Sequence, residues 1–571
     1  MYDLVIRNGK IVDGSGEASF MGDIAINGDR IVKIGLIEDK GNKEIDAEGN
    51  LVTPGWVDIH THYDGQVCWD EYLTPSCWHG VTTVVMGNCG VGFAPVKPGT
   101  EEFLVQLMEG VEDIPGVALN EGVSWDWESF PEYLDSIGKK NYAMDIGAMI
   151  GHGPIRSYVM GMDRCQGKEE ASDDEINEMA KITKEAIEAG ALGFSTSRTY
   201  LHRDKFGEYV PGTEATAKEM RKIANTIADL GQGTLEIVSD WMDQDIELDW
   251  VKEFVEKSDR TLTYAQTGGN PVETWKYCEE NFSKGVKIRP QFPGRPTGML
   301  FSLESTVHPF IAHPSYAEIA EKTLEEKVAT MRDKSFRQKI LSEEPAVDKN
   351  HMIYTLMMSF DKQFPMNEIP DYEPSYEESI AGIAESSGKS VMEVMYDEML
   401  KNEGKTFVWA PFSPYPDHNL DTYKMMMEFE SSVAGLSDGG AHCGLICDAS
   451  MPTWNIAHYT RDRVKGEKIP LEFLIRKQTK ETAETFGLMD RGQIKEGYLA
   501  DINIIDHENL CVYKPEMVHD LPTGSRRIIQ KAGGYIATIK SGVVTFKNDQ
   551  ATGELPGTVL RGERTAEAIS A

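Results

Sequence analysis

Basic residues are scarce in this chain relative to acidic ones. Of its 571 residues, 93 are Asp or Glu and only 57 are Lys or Arg, so the formal net charge at pH 7 is −36. A surface this acidic repels the phosphates of nucleic acids and of anionic lipids, which argues against either as a partner. A saline habitat and an ordinary solvated surface both remain open as explanations of the acidity.

Long hydrophobic runs are also missing. No apolar stretch approaches the roughly 20 residues that a helix needs to cross a bilayer. Residues 1–7 enter a strand-like pattern at once, without the charged and then apolar leader of a signal peptide. We therefore expect no membrane span, no signal peptide and a cytoplasmic location.

The cysteines do not form a disulfide framework. Eight of them are scattered over a long chain without recurrent spacing, which favours the reduced thiols of a cytoplasmic protein. They are Cys68, Cys77, Cys89, Cys165, Cys278, Cys443, Cys447 and Cys511.

Short apolar strands alternate with helical stretches through most of the chain, and 571 residues exceed what a single core usually holds. Alternating strands and helices indicate a parallel sheet, and eight such units predict an α/β fold of the (β/α)8 barrel type. The predicted strands are Trp56–His60, Val81–Met86, Ala143–Ile150, Leu192–Thr196, Thr234–Val238, Thr261–Gln266, Val286–Phe292 and Val433–Ser437.

About 140 residues separate the seventh predicted strand from the eighth, far more than an ordinary connection needs. Residues 318–331 and 390–400 within this stretch have helical patterns, which predicts an inserted subdomain at about 300–405. Residues 1–54 and the segment after Gly497 instead show repeated β patterns. We expect a barrel domain over 55–489, flanked by 1–54 and 490–571.

A His-x-His pair ends the first predicted strand, in Asp58-Ile59-His60-Thr61-His62. Side chains two apart on a strand point the same way, so both imidazoles can bind one metal ion. Imidazole is a common ligand of zinc and of other divalent transition metals. Two histidines alone are weak support, since the pattern also arises by chance.

Two further candidate ligands stand at the ends of other predicted strands. Cys89 follows the second strand, where it is either an inert buried thiol or a metal-bound thiolate. Asp438 follows the eighth, where a carboxylate can bind a metal, accept a proton from water or cap a helix. Catalytic groups of barrel enzymes occupy these carboxyl ends, which is the reason to group the four residues.

Long ordered motifs resemble a known family. The sequence around the histidines, the Gly87-Asn88-Cys89-Gly90 loop, the Ser437-Asp438-Gly439 segment and the glycine-rich tail are similar to the N-acyl-D-amino-acid deacylase (D-aminoacylase) branch of the amidohydrolase superfamily. The resemblance spans nearly the whole chain. It implies a (β/α)8 barrel beside a small β-sandwich built from both chain ends, an insertion between strands seven and eight, and hydrolysis of a non-peptide amide bond.

The chain departs from this pattern on strands five and six. The resemblance implies a metal-binding His at the end of each, but only Glu236, Asp240 and Gln266 offer oxygen ligands there. We therefore expect one divalent ion, held by His60, His62 and Asp438 with Cys89 as a fourth ligand. Zn²⁺ is the expected ion, with Fe, Mn and Co as alternatives, because losing imidazoles weakens a zinc-preferring site.

Other polar residues near strand ends are candidates for binding substrate, and each has an alternative structural role. An Arg here would bind a carboxylate through two hydrogen bonds or form a salt bridge within its loop. The strand-eight loop lacks the basic residue that the deacylases usually have. The candidates are His152, Arg198, His202, Glu236, Gln266, Arg289, Arg295 and His442.

The predicted reaction is hydrolysis of an N-acyl amino acid or a similar small amide by metal-activated water, with Asp438 as the general base. One alternative is an enzyme of the same fold that cleaves a cyclic amide or another small-molecule bond. The other is a metal-free descendant that only binds a ligand. The partner in each case is a small molecule, and homo-oligomerisation is left open.

Overall fold

Eight parallel strands pair in the order of the chain, as predicted. The computed structural model of the protein describes residues 1–241, 244–266, 272–347 and 352–564. Each strand pairs in parallel with the next. They are β1 (Trp56–Thr61), β2 (Val81–Met86), β3 (Asp145–Gly151), β4 (Gly193–Arg198), β5 (Thr234–Ser239), β6 (Leu262–Ala265), β7 (Ile288–Phe292) and β8 (Val433–Ala434).

The barrel closes between the last strand and the first. β8 is shorter than predicted because Leu436 takes a left-handed backbone conformation, with φ of +60°. The chain nevertheless continues beside β1, where Asp438 N–H donates to the His60 carbonyl at 3.1 Å and His62 N–H donates to the Gly439 carbonyl at 2.7 Å. These two hydrogen bonds complete the ring of strands. The predicted (β/α)8 architecture is confirmed.

The strands are buried on both faces, as expected where helices cover a parallel sheet. Every residue of β1, β2 and β3 is buried. The helices alternate with the strands, and among the described residues none is both long and apolar enough to cross a membrane. The barrel helices are Glu101–Glu112, Gly116–Gly122, Phe130–Ile137, His152–Met160, Asp173–Glu188, Ala217–Leu230, Gln244–Lys257, Val272–Phe282, Met451–Ala457, the π-helix His458–Asp462, Leu471–Gln478 and Lys480–Thr485.

One helix illustrates how local sequence sets these boundaries. Ser172 accepts a hydrogen bond from Glu175 N–H while the Glu175 side chain accepts from Ser172 N–H, a reciprocal capping box. The helix Asp173–Glu188 then buries one apolar face. It stops before Gly190, whose φ of +117° no helix can accommodate.

Both chain ends contribute to a single nine-stranded sheet. The strand Leu51–Pro54 of the first segment pairs antiparallel with Ile502–Ile505 of the last, which joins the two ends as predicted. Residues 565–571 of the predicted final segment lie outside the described residues. The other strands are Tyr2–Ile11, Phe20–Asn27, Arg30–Gly35, Gly41–Asp46, Tyr535–Lys540, Val543–Lys547 and Gln550–Ala551; two hairpin-like pairs, Cys511–Val512 with Ala532–Gly533 and Glu516–Leu521 with Ser525–Ile529, accompany them.

The insertion between β7 and β8 has an apolar core of its own. The predicted helix at 390–400 is present as Val391–Met399, whereas the one predicted at 318–331 begins only at Leu324. The N-cap of the helix that begins at Leu324 is Thr323, whose side chain accepts a hydrogen bond from Glu326 N–H. The insertion contains the strands Gly298–Phe301, Phe364–Pro365 and Val408–Pro411, and the helices Pro314–Ala317, Leu324–Arg332, Lys334–Leu341, Met352–Met357, Ile380–Ser387, Val391–Met399 and Asp421–Glu428.

A buried ionic network ties the barrel to the nine-stranded sheet. Asp145, the first residue of β3, accepts from Arg491 at 2.6 Å and pairs with Lys540 of the sheet at 2.8 Å. Lys540 also binds Asp501 at 2.9 Å, and all four side chains are buried. Because each charge has an opposite partner, the network holds the two units together without leaving an uncompensated charge.

We expect Asp145→Ala to lower the free energy of unfolding by about 3–5 kcal/mol, because it leaves two buried cations short of a partner. The measurement is urea unfolding followed by tryptophan fluorescence. Glu178→Ala, which removes the exposed pair with Lys181, is the control and should leave stability unchanged. A loss no larger than that of the control would show that the network does not join the two units.

Acid should weaken the same network. Burial alone would raise the pKa of Asp145, but the charges of Lys540 and Arg491 outweigh it and lower that pKa to about 2. A group with a lowered folded-state pKa stabilises the fold above its unfolded pKa, ~3.9 for Asp, and loses that stabilisation as the pH falls to its folded pKa. Between about pH 4 and pH 2, urea unfolding of Asp145→Asn should therefore depend less on pH than that of the wild type. Equal pH dependence would contradict the assignment.

Candidate metal centre

His60 and His62 place their imidazoles together at the carboxyl end of β1. Both side chains are almost wholly buried. Their Nε2 atoms approach the Sγ of Cys89, at 3.4 Å for His60 and 3.9 Å for His62. One ligand atom from each of the three residues lies within 4.8 Å of the others. The predicted chelating pair therefore faces a thiol.

Cys89 is held in place by its loop. The Asn88 amide donates to the carbonyls of Thr61 and Val85 at 3.1 and 3.0 Å, which fixes the loop against β1 and β2. The Cys89 N–H donates to Glu236 of β5 at 3.2 Å. Cys89 itself has φ of +57°, a strained conformation for a residue with a side chain. Such strain is found where a surrounding structure imposes a functional geometry.

Asp438 reaches the same two imidazoles from the closing segment of the barrel. Its Oδ1 lies 3.4 Å from His60 Nε2 and 3.8 Å from His62 Nε2. Its φ is +50°, so it too occupies the left-handed region. Two imidazole nitrogens and a thiol, usual donors of a zinc site, thus come together from β1 and the β2 loop, and the Asp438 carboxylate of the β8 segment approaches the two imidazoles.

Each imidazole has an acceptor behind it. Gln291 of β7 places its Oε1 2.8 Å from His60 Nδ1, and Glu112 places its Oε1 3.3 Å from His62 Nδ1. An acceptor at Nδ1 leaves Nε2 with its lone pair free for a metal. Neither residue was singled out from the sequence. Gln291 could have been found from its place on an inward-facing barrel strand, whereas Glu112 ends a helix remote from every motif.

Carboxylates dominate the surroundings of the centre. Burial, followed by Glu112, Glu236, Asp438 and Asp64, raises the pKa of the Cys89 thiol well above its ordinary value. Burial also raises the pKa of Glu236 to about 8 and that of Glu112 to about 7. Burial lowers the pKa of His62, but Glu112 and Asp438 outweigh burial and raise that pKa to about 9. Buried acids crowded around an imidazole in this way fit a site for a positive ion.

Three predicted substrate-binding residues lie near this centre. Burial, followed by the charges of His442 and His62, lowers the pKa of His202 to about 3, and the ring of His202 contacts Ser197 Oγ at 3.0 Å. His442 Nε2 is 3.7 Å from Glu112 Oε2. Glu236 contacts the Cys89 backbone, and its Oε1 has no hydrogen-bond partner among the described residues.

The structure does not bring the three candidate arginines to the centre. Each forms an ion pair elsewhere, because each has a carboxylate on a neighbouring element: Arg198 with Glu247, Arg289 with Glu481, and Arg295 with Asp448. Arg289 is moreover the second residue of β7, at the end of the strand away from the ligands. Each arginine thus has a carboxylate partner within the fold, as in the salt-bridge alternative, and contact with a substrate carboxylate stays a prediction.

The remaining candidates are also engaged within the fold. Both ring nitrogens of His152 have partners at 2.8 Å, Thr196 Oγ1 and Glu219 Oε1, and its contact with substrate stays a prediction. The Tyr264 hydroxyl donates to Gln266 Oε1 at 2.8 Å. Asp240 accepts from Thr199 Oγ1 at 2.6 Å and from Tyr200 N–H at 2.7 Å, which closes the loop after β4.

Comparison with known proteins agrees with this geometry. The model of the amidohydrolase family matches residues 43–546. The chain belongs to the amidohydrolase family. The predicted family is therefore confirmed, and this amidohydrolase is a metal-dependent hydrolase of carbon–nitrogen bonds other than peptide bonds.

Individual relatives are similar over almost their entire lengths. This amidohydrolase is 26% identical to a D-aminoacylase of Alcaligenes xylosoxydans xylosoxydans over 566 residues, 98% of this chain and 97% of the relative. A crystal structure of D-aminoacylase superimposes with a TM-score of 0.64 at 22% identity, covering 99% of this chain and 100% of that one. N-acyl-D-glutamate deacylase of Bordetella bronchiseptica, in complex with zinc and a phosphonate inhibitor, gives 0.63 at 19%, covering 98% and 99%.

If Cys89 is a ligand, Cys89→Ala should lower the metal bound per chain after dialysis against a weak chelator, because the ion loses its only sulfur donor at this centre. The measurement is elemental analysis of the purified protein. Cys77→Ala is the matched control, since Cys77 is also buried but pairs with no residue of the centre. Equal metal content in both variants would show that Cys89 is an inert core thiol.

Proposed function

We propose that this amidohydrolase cleaves the amide bond of an N-acyl amino acid, using one divalent ion held by His60, His62, Asp438 and Cys89. The observation that carries the proposal is the meeting of these four donors at the carboxyl ends of barrel strands, where barrel enzymes build their active sites. The 26% identity to a D-aminoacylase over nearly the full chain supports the substrate class.

The residues of the centre have different roles in the proposed reaction. A bound divalent ion lowers the pKa of a water toward ~7 and polarises the scissile carbonyl. His60 and His62 would hold that ion, and Gln291 and Glu112 lie on the far side of the two rings. Asp438 Oδ1, which faces both rings, accepts the proton of the attacking water and then delivers it to the leaving nitrogen.

One ion per chain, and zinc as that ion, are further parts of the proposal. Where the resembling deacylases have metal-binding histidines, the described residues of this chain place Glu236 near the centre and Gln266 and Asp240 on neighbouring elements, which offer oxygen in place of nitrogen donors for a second ion. Imidazole and thiolate favour Zn²⁺, with Fe, Mn and Co as the alternatives to compare. The zinc complex of N-acyl-D-glutamate deacylase supports this choice.

We also propose a cytoplasmic location. All eight cysteines are free, and three of them, Cys89, Cys443 and Cys447, are buried close to the centre or its strand-eight loop. A chain with this many thiols and no disulfide is suited to a reducing compartment.

Asp438→Asn should lower kcat by about 10²–10⁴-fold, because the amide cannot accept the proton of the attacking water. His60→Ala should abolish turnover by releasing the ion. The assay is release of free amino acid from a panel of D- and L-N-acetyl amino acids, with cyclic amides included. His418→Ala, in the insertion, is the control and should retain wild-type activity.

The outcomes separate the alternatives. Wild-type turnover in Asp438→Asn would overturn the assigned base. Turnover of cyclic amides without turnover of N-acetyl amino acids would replace the substrate class. Folded protein that binds no Zn²⁺, Fe²⁺, Mn²⁺ or Co²⁺ would favour the metal-free binding protein.

A further inference from the structure

We infer that Glu112 is the positioning residue of the metal centre, which fixes the His62 ring and strengthens its ligand nitrogen. The inference rests on the proposed metal centre. Glu112 is the last residue of the helix Glu101–Glu112, in the connection between β2 and β3, and is 2% exposed. No motif or strand end includes it, so its place at the centre comes from the fold alone.

The carboxyl group of Glu112 lies next to the imidazole of His62. Glu112 Oε1 lies 3.3 Å from His62 Nδ1. Both atoms are buried, and neither forms a hydrogen bond with any residue that the structure describes, so the 3.3 Å approach is an ion-pair contact without hydrogen-bond geometry. Because a buried polar atom without a partner is costly, a small reorientation of either group would satisfy two such atoms at once. The arrangement therefore favours a hydrogen bond from the ring to the carboxylate.

The backbone holds Glu112 at this position. Its carbonyl accepts from His442 N–H of the closing segment. The next residue, Asp113, leaves the helix with φ of +50° and accepts from Gly444 N–H at 3.0 Å and from Thr306 Oγ1. The end of the helix is thus anchored to both the strand-eight loop and the insertion. These contacts fix the backbone of Glu112 beside the centre.

The two imidazoles consequently have unequal acceptors. His60 faces the amide of Gln291, whereas His62 faces the carboxyl group of Glu112. A carboxylate at Nδ1 fixes the tautomer and makes Nε2 a stronger donor to the metal. His62 is then the stronger of the two nitrogen ligands.

A positioning role for Glu112 also compensates for the small number of imidazole ligands at the centre. The centre lacks the two strand-end imidazoles of the deacylases that it resembles, which weakens its hold on a divalent ion. An anionic residue behind a remaining ligand recovers part of that affinity, both by strengthening His62 and by adding negative charge beside the ion. Glu112 is the carboxylate in direct contact with His62 on the Nδ1 side.

Metal affinity of the full-length chain tests the inference. Stripped wild type, Glu112→Ala and Glu112→Gln are titrated with Zn²⁺ against a chromophoric chelator. Glu112→Ala should bind Zn²⁺ about 10- to 100-fold more weakly, the usual cost of losing such a partner. Glu112→Gln keeps an acceptor but removes the charge, so its loss should lie at the lower end of that range.

Glu102→Gln is the matched control, since it changes an exposed carboxyl on the first turn of the same helix without touching a ligand or the helix end, and it should keep wild-type affinity. The melting temperature of each metal-free variant shows whether it folds. Failure of the wild type to bind Zn²⁺ would overturn the proposed centre itself. Binding by the wild type with unchanged affinity in Glu112→Gln and Glu112→Ala would overturn the role of Glu112 alone. If Glu112→Ala does not fold, Glu112→Gln decides, and wild-type affinity there overturns the role of the charge.

Discussion

Closure of the barrel is the constraint on which the centre depends. Two backbone hydrogen bonds, from Asp438 N–H to the His60 carbonyl and from His62 N–H to the Gly439 carbonyl, join the last strand to the first. They also set the positions of three of the four candidate ligands, because those residues make the bonds. A barrel that failed to close would lose its fold and its metal site through the same defect. The left-handed backbone at Leu436 and Asp438 lets the segment leave the strand and turn the carboxylate inward.

The buried charged groups at the two ends of the barrel differ in how their charges are balanced. At the amino-terminal end of β3, Asp145 meets Arg491 and Lys540, so the charges balance and the network can serve as a joint to the nine-stranded sheet. At the other end, Asp438, Glu112 and their neighbouring acids surround two histidines, and despite burial they raise the pKa of His62 to about 9. A bound cation would replace the proton of that imidazole as the positive charge among the acids, which distinguishes this centre from the structural network.

The sequence predicted the features that apolar runs and the residues at strand ends reveal. Each of the eight strands was found to within a few residues, because buried parallel strands are near-continuous apolar runs, and His60, His62, Cys89 and Asp438 were grouped because they end such strands. The arginines show what a sequence leaves open. Arg289 and Arg198 stand in or beside strands, but the sequence does not reveal that Glu481 and Glu247, on helices distant from them in the chain, pair with them. Long side chains find such partners only once the tertiary fold exists.

Glu112 was not predicted for the same reason, because its contact with His62 exists only in the folded protein. Ligands need a rigid position and therefore stand at strand ends, where a sequence pattern marks them. Their supporting acceptors need only to reach the far side of an imidazole, so they can come from any element that packs there, such as the end of a helix in a connecting segment. Glu112 and Gln291 do this from a helix and from a strand. Both residues lie beside the Nδ1 atom of a histidine whose Nε2 atom faces the centre. A search for the residues that support such a centre should therefore begin at the Nδ1 atoms of its histidines.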